Sequence, residues 1–148
     1  MNPFVSIVMP AYNASDYISD AIQSVINQTF MNWELLIVND GSTDSTKNKI
    51  SYFKDKRLRY FFQKNKGVSA ARNLALCKMK GNFFCFLDAD DIMPPDSLLS
   101  RINIFKIKPD TSFVDGMVIS KDENMRKTIR YFVPSFKGYP YNELLKIS

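Results

Sequence analysis

Asp88-Ala89-Asp90-Asp91 sets three carboxylates in four residues, directly after the apolar run Phe83-Phe84-Cys85-Phe86-Leu87. Like charges this close oppose one another's ionisation unless something positive lies between them. Carboxylate oxygens suit a hard divalent cation such as Mg2+ or Mn2+, which usually comes with a phosphate. The other reading is an Asp-rich turn capping a helix near Pro95. Asp40, in Asn39-Asp40-Gly41-Ser42, also has two readings: ordinary turn chemistry, or an acceptor for a ring N–H beside the free amides of the next helix. In Pro10-Ala11-Tyr12-Asn13, Tyr12 is either a stacking platform for a base or a lid on the core edge. Arg72 interrupts an apolar helical stretch, as a phosphate or base contact or as a snorkelling surface residue. With no histidine in the chain, Ser-His-Asp and Cys-His catalysis and His-ligated zinc are excluded. The sequence contains no P-loop, no dinucleotide glycine fingerprint and no CxxC pair. Cys77 and Cys85 form no disulfide framework and are expected as small core residues.

Such side chains act only where backbone elements deliver them. Residues 4–9 are branched and aromatic, which predicts a buried strand stopped by Pro10. From Ser15 onward Tyr17, Ile18, Ala21, Ile22, Val25 and Ile26 recur at helical spacing. Residues 34–38 are a second apolar run; after it Gly41 permits a tight turn and Ser42 is expected to cap a helix over 43–53. A third strand is expected over 58–62. Gly67 opens a helix with Val68, Ala71, Leu74 and Ala75 as its apolar stripe, Gly81 lies just past its end, and residues 83–87 form the fourth strand. This alternation predicts an α/β fold with a parallel sheet and right-handed crossovers. Beyond Pro109, strands are expected over 111–119 and 128–133 and a short helix over 141–147. In open parallel sheets ligands gather outside the carboxyl ends of the strands, where all three unusual blocks fall. Strand order is not legible in the sequence, so whether the three blocks meet is left open.

The 148 residues suffice for one domain with a sizeable core. Hydrophobic residues at 45% and charged ones at 24% exclude disordered and collagen-like chains. The apolar runs are far too short for a bilayer span, and the start lacks the basic region of a signal peptide, so a cytoplasmic location is expected. Residues 1–46 hold five acids and no Lys or Arg, although the net charge is +5 and the pI about 9.2. The basic residues lie in separate stretches, notably 54–59 and 64–66, and read as solvated surface; no nucleic-acid partner is expected.

Four blocks together carry a resemblance: Val8-Met9-Pro10-Ala11-Tyr12-Asn13, Val38-Asn39-Asp40-Gly41-Ser42-Thr43-Asp44, Asn65-Lys66-Gly67-Val68-Ser69-Ala70-Ala71-Arg72-Asn73 and Phe86-Leu87-Asp88-Ala89-Asp90-Asp91. In order and spacing they resemble the family 2 glycosyltransferases over residues 4–105. The resemblance implies a Rossmann-like GT-A fold, a three-layer α/β/α sandwich with a mostly parallel central sheet, here truncated on its C-terminal side. The implied organisation is a single domain over 1–148, with 1–105 as the nucleotide-sugar-binding core and 106–148 as the start of an incomplete acceptor-side region.

The resemblance also implies transfer of a sugar from a nucleotide-diphospho-sugar, a UDP-sugar, to an acceptor hydroxyl with inversion, assisted by Mn2+ or Mg2+. Pro10, Ala11, Tyr12, Asn13, Asp40, Ser42, Arg72, Asp88 and Ala89 are the implied nucleotide-binding positions. Ala11 and Tyr12 match the segment that holds the base, Asp40 the acid that bonds uracil, and Arg72 the arginine near base and phosphates. Asp90 is the implied metal ligand, Asp88 lies near ribose or a metal-bound water, and Asp91 is beside the sugar. The acids after Asp91 are Asp96, Asp110, Asp115, Asp122, Glu123 and Glu143, none in a Glu-Asp pair. The catalytic base is therefore expected beyond Ser148. A glycan or lipid-linked acceptor and proximity to the inner membrane surface are the implied surroundings. The alternative is a non-catalytic nucleotide-sugar-binding or assembly module that needs a partner chain, or self-associates through exposed apolar surface.

Overall fold

The computed structural model describes residues 4–116, 118–121 and 128–132. The chain divides into two units, Met1–Asn103 and Ile104–Ser148.

In the first unit β1 (Val5–Ala11), β2 (Trp33–Asp40), β3 (Leu58–Gln63) and β4 (Phe83–Phe86) form a parallel sheet in the order β3-β2-β1-β4. Parallel neighbours need crossovers, supplied by α1 (Ile18–Ile26), α2 (Thr46–Ser51) and α3 (Val68–Lys78). Every residue of β1 and β2 is buried, as the near-continuous apolar runs require of strands covered on both faces. Alternation along the strands sorts the core into two layers. Val8, Leu36 and Val38 pack with Ala71 and Ala75 of α3. Ile37 turns the other way, toward Ile50 of α2, and α1 lies against α2. At the amino ends of the strands the buried Glu34 carboxylate accepts from Ser6 Oγ (2.8 Å), Arg59 Nη1 (2.7 Å) and Lys80 N (2.6 Å).

The three-layer parallel α/β sandwich agrees with expectation, and several details differ. α1 begins at Ile18, so Tyr17 stands outside its apolar stripe, 59% exposed. α2 covers only Thr46–Ser51, with Ser45 and not Ser42 at its N-cap. On α3 the sheet-facing pair is Ala71 and Ala75; Val68 shares their stripe but is exposed at the first position of the helix, and Cys77 is exposed on the opposite side. Cys85 is half-buried, and burial pushes its thiol up to about 11 against a small opposing effect of Arg101.

Pro10 does not stop β1, which runs on to Ala11 beside β2. Leu87 N donates to Val8 O, so the even-numbered residues of β1 turn their backbone groups toward β4. The N–H that Pro10 lacks therefore belongs to the β4 side, where pairing has already ended at Phe86.

α4 (Ser97–Ile107) buries Leu98 and Ile102. In the second unit β5 (Val118–Lys121) and β6 (Thr128–Phe132) pair antiparallel, with an irregularity between Ser120 and Lys121. The strand expected over 111–119 is confined to its last residues. Residues 111–116 carry no regular structure, and Gly116 N donates to the Asp115 side chain, a local bond that competes with a ladder. The helix expected over 141–147 lies outside the described residues. Among the described residues no helix is long and apolar enough to cross a membrane.

Candidate functional site

The chain steps from β1 through β2 to β3 in one direction, then returns to lay β4 on the other side of β1. Ligands in doubly wound sheets bind at such a reversal, outside the carboxyl ends of the strands. A cleft of about 420 Å³ opens there, and its wall includes Pro10, Ala11, Tyr12, Asn13, Asp40, Asp88, Ala89 and Asp90. All three expected blocks thus meet in one place. Ser42, Arg72 and Asp91 are not on the wall. The last β1–β4 bond runs from Leu87 N to Val8 O, and past it Pro10 and Asp88 both stand on the cleft wall.

Side-chain-to-backbone bonds tie the β1–α1 and β2–α2 connections together. Asn13, in the left-handed region at φ 48°, accepts from Thr43 N through Oδ1 (2.8 Å). Asn13 N donates to Ser42 Oγ, Ala14 N to Thr46 Oγ1 and Ser15 N to Asp44 Oδ2. Asn39 Oδ1 in turn accepts from Ser42 N. Burial pushes the Asp44 carboxyl up, but the bonds from Thr46 and Ser15 outweigh it and hold the group at about 2. Asn13 and Ser42 are therefore occupied in holding the loop that carries Tyr12. Tyr12 itself is 51% exposed on the cleft wall and does not seal the core.

Asp40 ends β2, and its carboxylate is buried. Oδ1 accepts from Gln63 Nε2 (2.7 Å) and Lys66 N (2.9 Å), and Oδ2 from Gly67 N (2.8 Å). This exceeds turn chemistry: the acid fastens the β3–α3 connection to the end of β2. Four acceptor positions less three donors leave one, on Oδ2. Gly41 lets this connection approach, since at φ 77° a Cβ there would meet Asn65 N at 2.7 Å.

The acidic turn closes with Asp91 N donating to Asp88 O, and α4 begins only at Ser97, so these acids do not cap it. Asp88 Oδ1 accepts from Arg72 Nη2 at 2.7 Å, and the guanidinium carbon lies 5.1 Å from the Phe86 ring centre. Asp90 is exposed on the cleft wall with no ion pair to a described residue. Partial desolvation, then the carboxylates of Asp90 and Asp88, raise the Asp91 carboxyl above its ordinary value. An oxygen-only donor set under like-charge pressure fits a hard divalent cation that takes its other ligands from phosphate and water. It does not make a preformed cage: among the described residues no group of three or more acidic or thiol side chains could hold an ion by itself.

Ala14, Tyr17, Asn65, Gly67 and Val68 also line the cleft. Sequence reasoning put Tyr17 and Val68 in apolar stripes instead. A signal was present in Gly67, whose φ of 87° and ψ of 160° suit glycine alone and mark a connection shaped for more than helix entry.

Fold and cleft together define a doubly wound α/β domain with an acidic, aromatic-edged cleft at its switch point. The chain belongs to glycosyl transferase family 2, whose model matches residues 6–147. It is 41% identical over 143 residues to the UDP-Glc:alpha-D-GlcNAc-diphosphoundecaprenol beta-1,3-glucosyltransferase WfgD of Escherichia coli, covering 96% of this chain and 55% of that protein. It thus spans about half the length of this curated relative. Among solved structures, S. aureus TarS 1-349 in complex with UDP-GlcNAc superposes with a TM-score of 0.68 at 28% identity, covering 70% of this chain and 31% of that one. The Pyrobaculum calidifontis mannosyltransferase PcManGT, in complex with GDP-Man and Mn2+, shares the fold with a TM-score of 0.67 at 22% identity, over 79% of this chain and 35% of that one.

Proposed function

We propose that this chain binds the nucleotide-diphospho-sugar donor, a UDP-sugar, of an inverting glycosyl transfer, with residues 1–105 as the donor core and 106–148 as the start of the acceptor side. The observation that carries this reading is the convergence, in one switch-point cleft, of a half-exposed tyrosine, a buried carboxylate with one acceptor position left and an acidic turn. Tyr12 stacks on the base, with the wall at Pro10, Ala11 and Ala89 beside it. Asp40 Oδ2 accepts the ring N–H of uracil. Asn13 and Ser42 hold the base-binding loop. Asp90 and Asp88 would hold Mg2+ or Mn2+, which supplies positive charge against the two phosphates. Arg72 adds a positive charge for the departing diphosphate, and Asp91 stands beside the sugar.

In the transfer an acceptor oxygen forms a bond to the anomeric carbon as the carbon–phosphate-oxygen bond breaks, and the nucleoside diphosphate leaves. The acceptor proton passes to a carboxylate base. The name of the E. coli relative supports a UDP-sugar donor and a lipid-linked saccharide acceptor. The TarS complex supports UDP as the nucleotide. Calorimetry of the full chain with UDP and Mn2+ tests the reading. Binding is expected, weakened at least about tenfold by Asp90→Ala; absence of binding, or an affinity that ignores Asp90→Ala, overturns it.

A second reading has a specific observation behind it. Phe84 and Phe86, 5.5 Å apart edge to face on β4, are 51% and 45% exposed, which favours a donor-binding module that works against a partner chain. Turnover of a UDP-sugar by a sedimenting monomer rejects that alternative.

A further inference from the structure

Arg72 stands where a diphosphate would compete for it. It lies one turn after Val68 on the same side of α3, and Val68 lines the cleft. Long helical side chains lean toward the helix N-terminus, here toward the cleft wall at Gly67. One Nη donor is spent on Asp88, while Nε is buried and has no hydrogen-bond partner among the described residues. The guanidinium therefore keeps an unsatisfied N–H beside the one it gives to Asp88, and a guanidinium pairs bidentately with phosphate oxygens. The ion pair itself is half-solvated, with side chains 32% and 47% exposed, so it is weak and exchanges readily.

We infer that the Arg72–Asp88 pair is an exchangeable latch: a nucleoside diphosphate draws the guanidinium off Asp88 and onto its own oxygens, and so frees Asp88 for a divalent cation. In the free chain each partner neutralises the other. The cation alone meets an Asp88 already engaged, and the diphosphate alone must break the pair. Each ligand therefore tightens the other, by the same factor in both directions. Arg72 is in this sense a positioning residue for Asp88 as well as an anion contact. The inference rests on the donor reading above.

A double-mutant cycle in EDTA tests it, with UDP titrated calorimetrically into the full chain as wild type, Asp88→Asn, Arg72→Gln and the double variant, each checked for a cooperative thermal melt. Asp88→Asn is expected to raise cation-free UDP affinity about twofold to fivefold, the range an exposed pair can release. In the Arg72→Gln background the same substitution is expected to change affinity by less than about 1.5-fold, because no latch remains. Uridine, which has no phosphate to draw Arg72 away, is expected to show no coupling between the two substitutions. An equal gain in both backgrounds means simple relief of charge repulsion and overturns the latch; so does no gain, or a loss, in the wild-type background. If Arg72→Gln does not fold, Arg72→Lys replaces it, and full retention of the Asp88→Asn gain there overturns the bidentate argument. As an independent readout, Mn2+ binding followed by electron paramagnetic resonance is expected to tighten on adding UDP to wild type, and to tighten less in the Arg72 variant. A wild type that binds no UDP, with or without Mn2+, removes the donor reading itself and is told apart from failure of the latch by that silence in every variant.

Discussion

Asp40→Asn changes one oxygen to an NH2 in a buried carboxylate that accepts three hydrogen bonds. Asparagine has a single acceptor atom. If it keeps Gln63 and Lys66, its NH2 faces Gly67 N–H; if it turns over to keep Gly67, the NH2 faces Lys66 N–H, and only Gln63 can adapt by flipping its own amide. In either arrangement one backbone donor loses its partner, at about 1–3 kcal/mol. The surviving bonds also lose the charge that made them strong, for a total near 3 kcal/mol. For a chain of this size that lowers the melting temperature by about 6–12 °C, and the Lys66 and Gly67 amides should lose hydrogen-exchange protection first. The ligand supplies a readout that loop damage alone does not move. On the proposed base contact the Asp40 carboxylate would accept from uracil N3–H and repel the N3 lone pair of cytosine, so wild type is expected to prefer UDP to CDP. Asparagine can donate to cytosine, so the variant is expected to narrow that preference by about tenfold, as affinity for UDP falls and affinity for CDP is spared. A variant with unchanged melting temperature and amide protection would refute the loop-fastening role. An unchanged UDP-to-CDP ratio would refute the base contact.

Three further substitutions probe the frame around the cleft. Glu34→Ala strands Arg59 and Lys80 N at the amino ends of the strands, and is expected to cost about 3 kcal/mol in urea unfolding; less than 1 kcal/mol would count against that role. Burial raises the Glu34 carboxyl, but the Arg59, Ser6 and Lys80 bonds hold it below 4.5, so its stabilisation is complete above pH 4.5 and drains as pH falls through the lower folded value. Glu34→Gln should flatten that part of the acid limb. Asp44, held at about 2 against an ordinary 3.8, contributes fully above pH 3.8 and loses its contribution as pH falls toward 2; a carboxyl titration by NMR with an ordinary midpoint would remove the Ser15 and Thr46 clamp from the account. Gly41→Ala places a methyl 2.7 Å from Asn65 N at a φ of 77°, and is expected to cost about 1–3 kcal/mol and to weaken UDP binding by displacing the cleft wall.

The elements were legible wherever burial wrote itself into composition. β1 and β2 read as continuous apolar runs because both their faces are covered, and α3 reads through its Ala71 and Ala75 spacing. Strand order was not legible, since four parallel strands with helical crossovers can be laid in several orders without altering any local pattern. Pro10 misled because a missing donor ends a strand only where that donor would have a partner, and its partner side lies past the end of β4. The strand expected over 111–119 failed for the opposite reason: apolar types favoured it, but Asp115 captured the following amide locally.

At the site the residue types were legible and their partners were not. Asp40, Asp88 and Asp90 could be singled out because acids after apolar strands are costly without a counterpart. The counterpart depends on where a distant loop comes to rest. Asp40 finds its donors at Gln63, Lys66 and Gly67, and Asp88 finds Arg72 a full element earlier. Those pairings divide the carboxylates of the cleft into two kinds. Asp40 is satisfied by dipoles that no ligand need disturb, so its charge serves as architecture, and one acceptor position is left over. Asp88 is satisfied by a cation that a phosphate can take away, and Asp90 and Asp91 have no described ion pair at all. A dianionic ligand entering such a cleft must either bring positive charge with it or take Arg72 from Asp88. The acids at the rim and the arginine behind them are therefore coupled parts of one electrostatic device, which neither residue type nor spacing in the sequence discloses.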